Sequence, residues 1–107
     1  MFNFHVYDTE TTGLPEWKKP SNDPAQPHLV QLSGVITNSD FSIKEKYNFI
    51  IKPDGYEIPG DMAALHGITT ERAMAEGIPL VTAIGHLKIK IEENPGHTIS
   101  AFNSAFD

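Results

Sequence analysis

The apolar and polar positions divide the chain into a strand-rich first half and a helix-rich second half. Phe2 to Tyr7 is largely aromatic and β-branched, which predicts a strand, and it runs into the polar segment Asp8-Thr9-Glu10-Thr11-Thr12-Gly13-Leu14, which predicts a loop closed by glycine. Two more apolar runs, Leu29 to Ile36 and Tyr47 to Ile51, predict further strands, with turn chemistry at Asn38-Ser39-Asp40 between them. Three strands in succession imply an antiparallel meander. Asp61 to His66 predicts a short helix stopped by Gly67, and a second short helix is expected from Thr70 to Gly77. Leu80, Ile84, Leu87 and Ile91 recur at steps of four, three and four, the apolar stripe of an amphipathic helix that Asn94-Pro95-Gly96 ends. Thr98 to Phe102 returns to strand composition, and Asn103 to Asp107 can open another helix.

Residues 15–28 interrupt this pattern with four prolines, Asn22, Asp23 and the pair Lys18-Lys19, which predicts an exposed loop. Trp17 in that loop can stack on a base, dock on a partner or fold back onto the domain. The lysines read first as solvated. No repeat or linker divides the chain, so residues 1–107 are read as one domain. With 39% hydrophobic and 21% charged residues, the chain has the composition of a folding protein rather than a disordered one. The absence of cysteine excludes a disulfide framework and a thiolate zinc site, and it permits a reducing compartment, with the cytoplasm as the default expectation. No segment reads as a secretion signal or a membrane span.

Charge narrows the chemistry. Fourteen acidic residues against eight Lys and Arg give a formal net charge of −6, so a basic groove cannot be the main grip on a phosphate backbone. Bound divalent cations can replace it locally, because they bring positive charge to phosphate while requiring acidic ligands. Asp8 and Glu10 are one residue apart, so on an extended segment their side chains leave the same face and can converge on one cation. Such a pair suits Mg²⁺ or Mn²⁺ and phosphodiester hydrolysis, although Asp-x-Glu alone is more often a solvated turn. The five histidines, His5, His28, His66, His86 and His97, match no zinc spacing and read as dispersed core or surface residues.

Tyr7-Asp8-Thr9-Glu10-Thr11-Thr12-Gly13-Leu14 resembles the first motif of the DEDD (DnaQ-like) 3′→5′ exonucleases, particularly those of the proofreading epsilon type found with bacterial DNA polymerase III. Phe102-Asn103-Ser104-Ala105-Phe106-Asp107 resembles the second motif, and Leu65-His66-Gly67-Ile68-Thr69 a segment between the two. The matches fall in the family's order and cover essentially the whole chain. The resemblance implies an α/β ribonuclease-H-like fold, a mixed sheet with flanking helices around the meander, with the C-terminal part of the fold missing. It implies two divalent ions, Mg²⁺ or Mn²⁺, held by catalytic Asp8, Glu10 and Asp107, the last through water. It further implies that the backbone at Thr9 to Thr11 meets the terminal nucleotide, with Leu14 as a wedge and Leu65 and His66 lining the pocket.

The expected activity is hydrolysis of the 3′-terminal phosphodiester of single-stranded DNA to nucleoside 5′-monophosphates, with a DNA polymerase subunit as a conceivable partner. RNA 3′-end trimming and a non-cutting nucleic-acid or polymerase-binding module are the alternatives. The family's general base and fourth carboxylate belong to a third motif beyond Asp107, so these 107 residues alone are expected to turn over weakly or not at all. Phe102 and Phe106 are expected in the core.

Overall fold

The computed structural model describes residues 3–13, 16–23 and 25–102. Four strands, β1 (Phe4–Thr11), β2 (Leu29–Thr37), β3 (Ile43–Ile50) and β4 (Thr98–Phe102), form one sheet in the order β3-β2-β1-β4. β1 to β3 are the antiparallel meander, and β4 lies parallel to β1 after three helices, α1 (Gly60–His66), α2 (Thr70–Glu76) and α3 (Leu80–Glu93). The mixed α/β architecture expected from the sequence is therefore present. No helix among the described residues is long and apolar enough to cross a membrane.

Two strand boundaries differ from the expectation by four residues. β1 does not end at Tyr7: it continues through Asp8↔Ser33, Thr9↔Leu32, Glu10↔Gln31 and Thr11↔Leu29. Polar residues are tolerated here because Asp8, Thr9 and Glu10 all keep partial exposure to solvent, and Thr is itself β-branched. β3 starts at Ile43, four residues early, because Lys44, Glu45 and Lys46 lie on an edge strand where charged side chains reach solvent and also discourage further pairing.

α3 spans the expected residues but presents a different stripe. Ala83 is fully buried and Leu87 packs against Leu32, Ile36 and Tyr47, while Leu80 and Ile84 remain 48% and 47% exposed. Lys90 and Asn94 continue the inward face, Lys90 pairing with Glu45 and Asn94 accepting from Lys44 at 2.5 Å. A charged edge strand thus selects polar helix residues that an apolar-only reading passes over. A second apolar cluster of Val30, Ile58, Ile68 and Ala73, with Met62 and Ala63 against it, ties α1 and α2 to the end of the sheet where β1 finishes.

Beneath β1 lies a polar contact within the core. His5 is fully buried, and its Nε2 is 2.7 Å from the Tyr47 hydroxyl, reached diagonally across β2. The crossing point is Gly34, where a Cβ would fall 2.3 Å from that hydroxyl. Gly34→Ala is accordingly expected to cost about 2 kcal/mol, from overpacking together with disruption of the buried hydrogen bond. Thermal denaturation should register a fall of roughly 10 °C for a domain of this size.

Burial depresses the His5 pKa below 6.5, His97 and Lys90 add to the depression, and Glu45 opposes it. The unfolded chain therefore binds a proton at His5 that the folded chain resists, and stability is lost as pH falls below about 6.5. Unfolding midpoints between pH 7 and pH 5 should decline, and His5→Gln should flatten that decline; an equal decline in the variant would remove His5 as its source.

Candidate active site

Alternation along β1 separates two surfaces. His5, Tyr7, Thr9 and Thr11 take the side covered by α3, with His5 and Thr11 buried, whereas Val6, Asp8 and Glu10 take the opposite side, where Val6 is 39% exposed. The register puts Asp8 in a row with Ser33 and Asn48, and Val6 in a row with Val35 and Lys46. Those six residues line a shallow, open depression of about 560 Å³ walled by strand residues. Glu10 lies one pleat further along the same face, in the row of Gln31 and Ile50. Gln31 is itself fixed there by donating to Asn48 at 2.7 Å.

The two carboxylates are half-buried. Asp8 accepts the Thr9 backbone N–H on Oδ1 at 2.9 Å, which orients the carboxyl and leaves Oδ2 available. The Glu10 side chain makes no hydrogen bond or ion pair among the described residues, and the ion pairs present there, Arg72–Glu76, Lys88–Glu92 and Lys90–Glu45, involve neither residue. Hard oxygen donors on one face with no neutralising partner are the donor chemistry that Mg²⁺ or Mn²⁺ prefers. They are an incomplete set, since no group of three His, Cys, Asp or Glu residues is placed to hold an ion among the described residues.

The remaining expected site residues are distributed as follows. Thr9 and Thr11 lie on the strand between and beyond the carboxylates, and the Thr11 hydroxyl donates to the Gly13 carbonyl at 2.7 Å, tightening the exit from β1. Leu65, at the end of α1, is 69% exposed. His66 turns inward: its Nδ1 accepts the Ile68 N–H at 3.3 Å, and its Nε2 is buried without a hydrogen-bond partner among the described residues. No hydrogen bond or ion pair joins Leu65 or His66 to Asp8 or Glu10 among the described residues; α1 packs through Met62 and Ala63 at the end of the sheet where β1 finishes. Leu14 and Asp107 lie outside the described residues, as does most of the second motif. Ser33, Asn48 and Lys46, which share the carboxylates' face, become visible only once the register is known.

A family model described as RNase_T: Exonuclease matches residues 5–78, which include Asp8, Glu10, Leu65 and His66. The chain belongs to this exonuclease family. Among solved structures, exonuclease I of E. coli in complex with a dT13 oligonucleotide superposes with a TM-score of 0.69 at 25% identity, over 95% of this chain and 20% of that one. The same enzyme with a dA16 oligonucleotide gives 0.68 at 25% identity, over 95% of this chain and 21% of that one. A moderately thermophilic exonuclease I from Methylocaldum szegediense gives 0.73 at 20% identity, over 95% and 20% of the two chains, a likeness of fold. The chain thus spans about one fifth of the length of these exonucleases. No curated protein matches it significantly in sequence.

Proposed function

We propose that this exonuclease-family chain carries part of the active site of a metal-dependent 3′→5′ exonuclease that removes nucleoside 5′-monophosphates from single-stranded DNA. The observation that carries the reading is the pair Asp8 and Glu10, on the open face of a strand flanked by β2 and β4, with no cationic side chain among the described residues pairing them. Asp8 and Glu10 would hold the ions, with Asp107 as a further ligand. Bound divalent ions in such enzymes supply Lewis acidity at the phosphate and a water of lowered pKa. The protein's own work is to fix the carboxylates on a paired strand, which costs no reorganisation at the moment of reaction. Backbone groups at Thr9 to Thr11, the wedge Leu14 and the pocket residues Leu65 and His66 would hold the terminal nucleotide.

Single-stranded DNA is favoured as substrate because the similar E. coli exonuclease I structures hold dT13 and dA16 oligonucleotides. The motif likeness to epsilon-type proofreading enzymes keeps a polymerase subunit as a candidate partner, tested by co-purification with a polymerase. The decisive assay uses the 107 residues together with any sequence that follows them in the reading frame. A 5′-labelled oligonucleotide in Mn²⁺ should shorten one nucleotide at a time from its 3′ end and stop on chelation. Cleavage that continues in chelator, or a single internal cut, would overturn the reading. A matched RNA strand degraded faster than the DNA would reassign the substrate to RNA.

A further inference from the structure

The proline-rich loop that leaves β1 just past Glu10 is held by its own hydrogen bonds. Its base is closed where the Thr12 N–H donates to the His28 carbonyl at 3.0 Å and the His28 N–H donates to the Thr12 hydroxyl at 2.9 Å. Its interior is organised by one side chain. Gln26 Oε1 accepts the Glu16 N–H at 2.9 Å, and Gln26 Nε2 donates to the carbonyls of Glu16, Lys19 and Pro20 at 2.9, 3.1 and 3.0 Å. Turn hydrogen bonds from Lys19 to Glu16, Asp23 to Pro20 and Gln26 to Asp23 complete the frame. The polar work of this loop is internal, yet it leaves Trp17 81% exposed, followed directly by Lys18 and Lys19.

An indole held outward forgoes the largest burial gain of any side chain, and here it borders a shallow depression of about 290 Å³ edged by Glu16, Lys19 and Ser21. A flat aromatic face followed in sequence by two lysines, of which Lys19 edges the same depression, combines base stacking with phosphate attraction, the pairing used for sequence-tolerant grip on single strands. The geometry points to Trp17 as a nucleobase-stacking platform for the single strand, with Lys18 and Lys19 contacting its phosphates. The loop's root, two residues beyond Glu10, puts this platform at the carboxylate end of β1. An acidic chain thereby confines its basic grip to a short segment while leaving the hydrolytic face to metal. This assignment rests on the exonuclease reading for its ligand and is separable from it by experiment.

Trp17 is the sole tryptophan of the 107 residues, so its fluorescence reports the contact directly. In chelator, where hydrolysis is stopped, oligo(dT) should quench that emission, and an abasic deoxyribose-phosphate oligomer of equal length should not. Trp17→Ala should weaken oligo(dT) binding, followed by anisotropy of a labelled strand, by about tenfold or more. Trp17→Phe should restore most of the affinity, and Lys18→Gln with Lys19→Gln should lower the salt dependence of binding. Unquenched emission at saturating oligo(dT), equal quenching by the abasic oligomer, or unaltered affinity in Trp17→Ala would each overturn the platform. An unaltered affinity would turn attention to a protein partner for Trp17. None of these outcomes touches the exonuclease reading, which falls if hydrolysis is absent, metal-independent or internal.

Discussion

Asp8→Asn is expected to reduce metal-dependent hydrolysis by roughly three powers of ten while leaving the unfolding midpoint within a few degrees of the parent. Asparagine keeps the shape of the side chain, and its Oδ1 can still accept the Thr9 N–H that orients Asp8 at 2.9 Å. What it removes is the negative charge and one anionic oxygen. A metal ion acting on the transition state contributes several kcal/mol, and every ~1.4 kcal/mol is a factor of ten in rate. The strand pairing of Asp8 with Ser33 and Phe102 runs through the backbone, so folding has little stake in the charge. Mn²⁺ affinity, measured from the electron paramagnetic resonance of the free ion, should fall with the rate. Glu10→Gln should behave alike, because Glu10 forms no ion pair among the described residues whose loss could disturb the fold. Activity and Mn²⁺ affinity both unchanged in Asp8→Asn would detach this carboxylate from the chemistry.

The sequence exposed the local rules more readily than the long-range ones. Gly67 reads as a helix stop and adopts the left-handed conformation, φ 75°, at the end of α1. The order of strands and helices is equally legible, because apolar runs and glycines punctuate it. The boundary at Asp8 is not, since nothing in Asp8 to Thr11 says that Leu29, Leu32 and Ser33 will pair with it. The inward face of α3 was hidden for the same reason: Lys90 and Asn94 turn inward only because β3 supplies Glu45 and Lys44 as partners. For the site, the spacing of Asp8 and Glu10 fixes a common face, and the family motif gives that face a chemistry. Neither spacing nor motif reveals that Ser33, Asn48 and Lys46 share it. Those residues arrive through the register, which is a property of three strands at once.

Gly77 illustrates how a glycine can be read correctly as a boundary and still have its main role overlooked. Its φ of −78° and ψ of 159° are open to any residue, so backbone freedom is not the reason for glycine here. The reason is space, because a Cβ would lie 2.3 Å from the Ala73 carbonyl oxygen, 2.6 Å from the Lys52 nitrogen and 2.8 Å from the Lys52 Cα. All three are backbone atoms, which cannot swing aside as a side chain does. Immediately after Gly77, the Ile78 N–H donates to Ile50 and the Lys52 N–H donates to Ile78, both at 2.8 Å, stitching the connection from α2 to α3 onto the end of β3. Gly77→Ala must push that connection away, straining or breaking both hydrogen bonds. Overpacking together with two disturbed hydrogen bonds gives a loss of about 3–4 kcal/mol. That corresponds to a fall in unfolding midpoint of more than about 10 °C. Gly85→Ala is the control, since Gly85 lies inside α3 with nothing within 4 Å of an added Cβ. There the same substitution should raise stability by up to about 1 kcal/mol through helix propensity. The opposite signs separate close approach from conformational entropy. A midpoint for Gly77→Ala within a few degrees of the parent would mean that the connection can yield, and that the anchoring of β3, one strand removed from the carboxylate strand, does not depend on it.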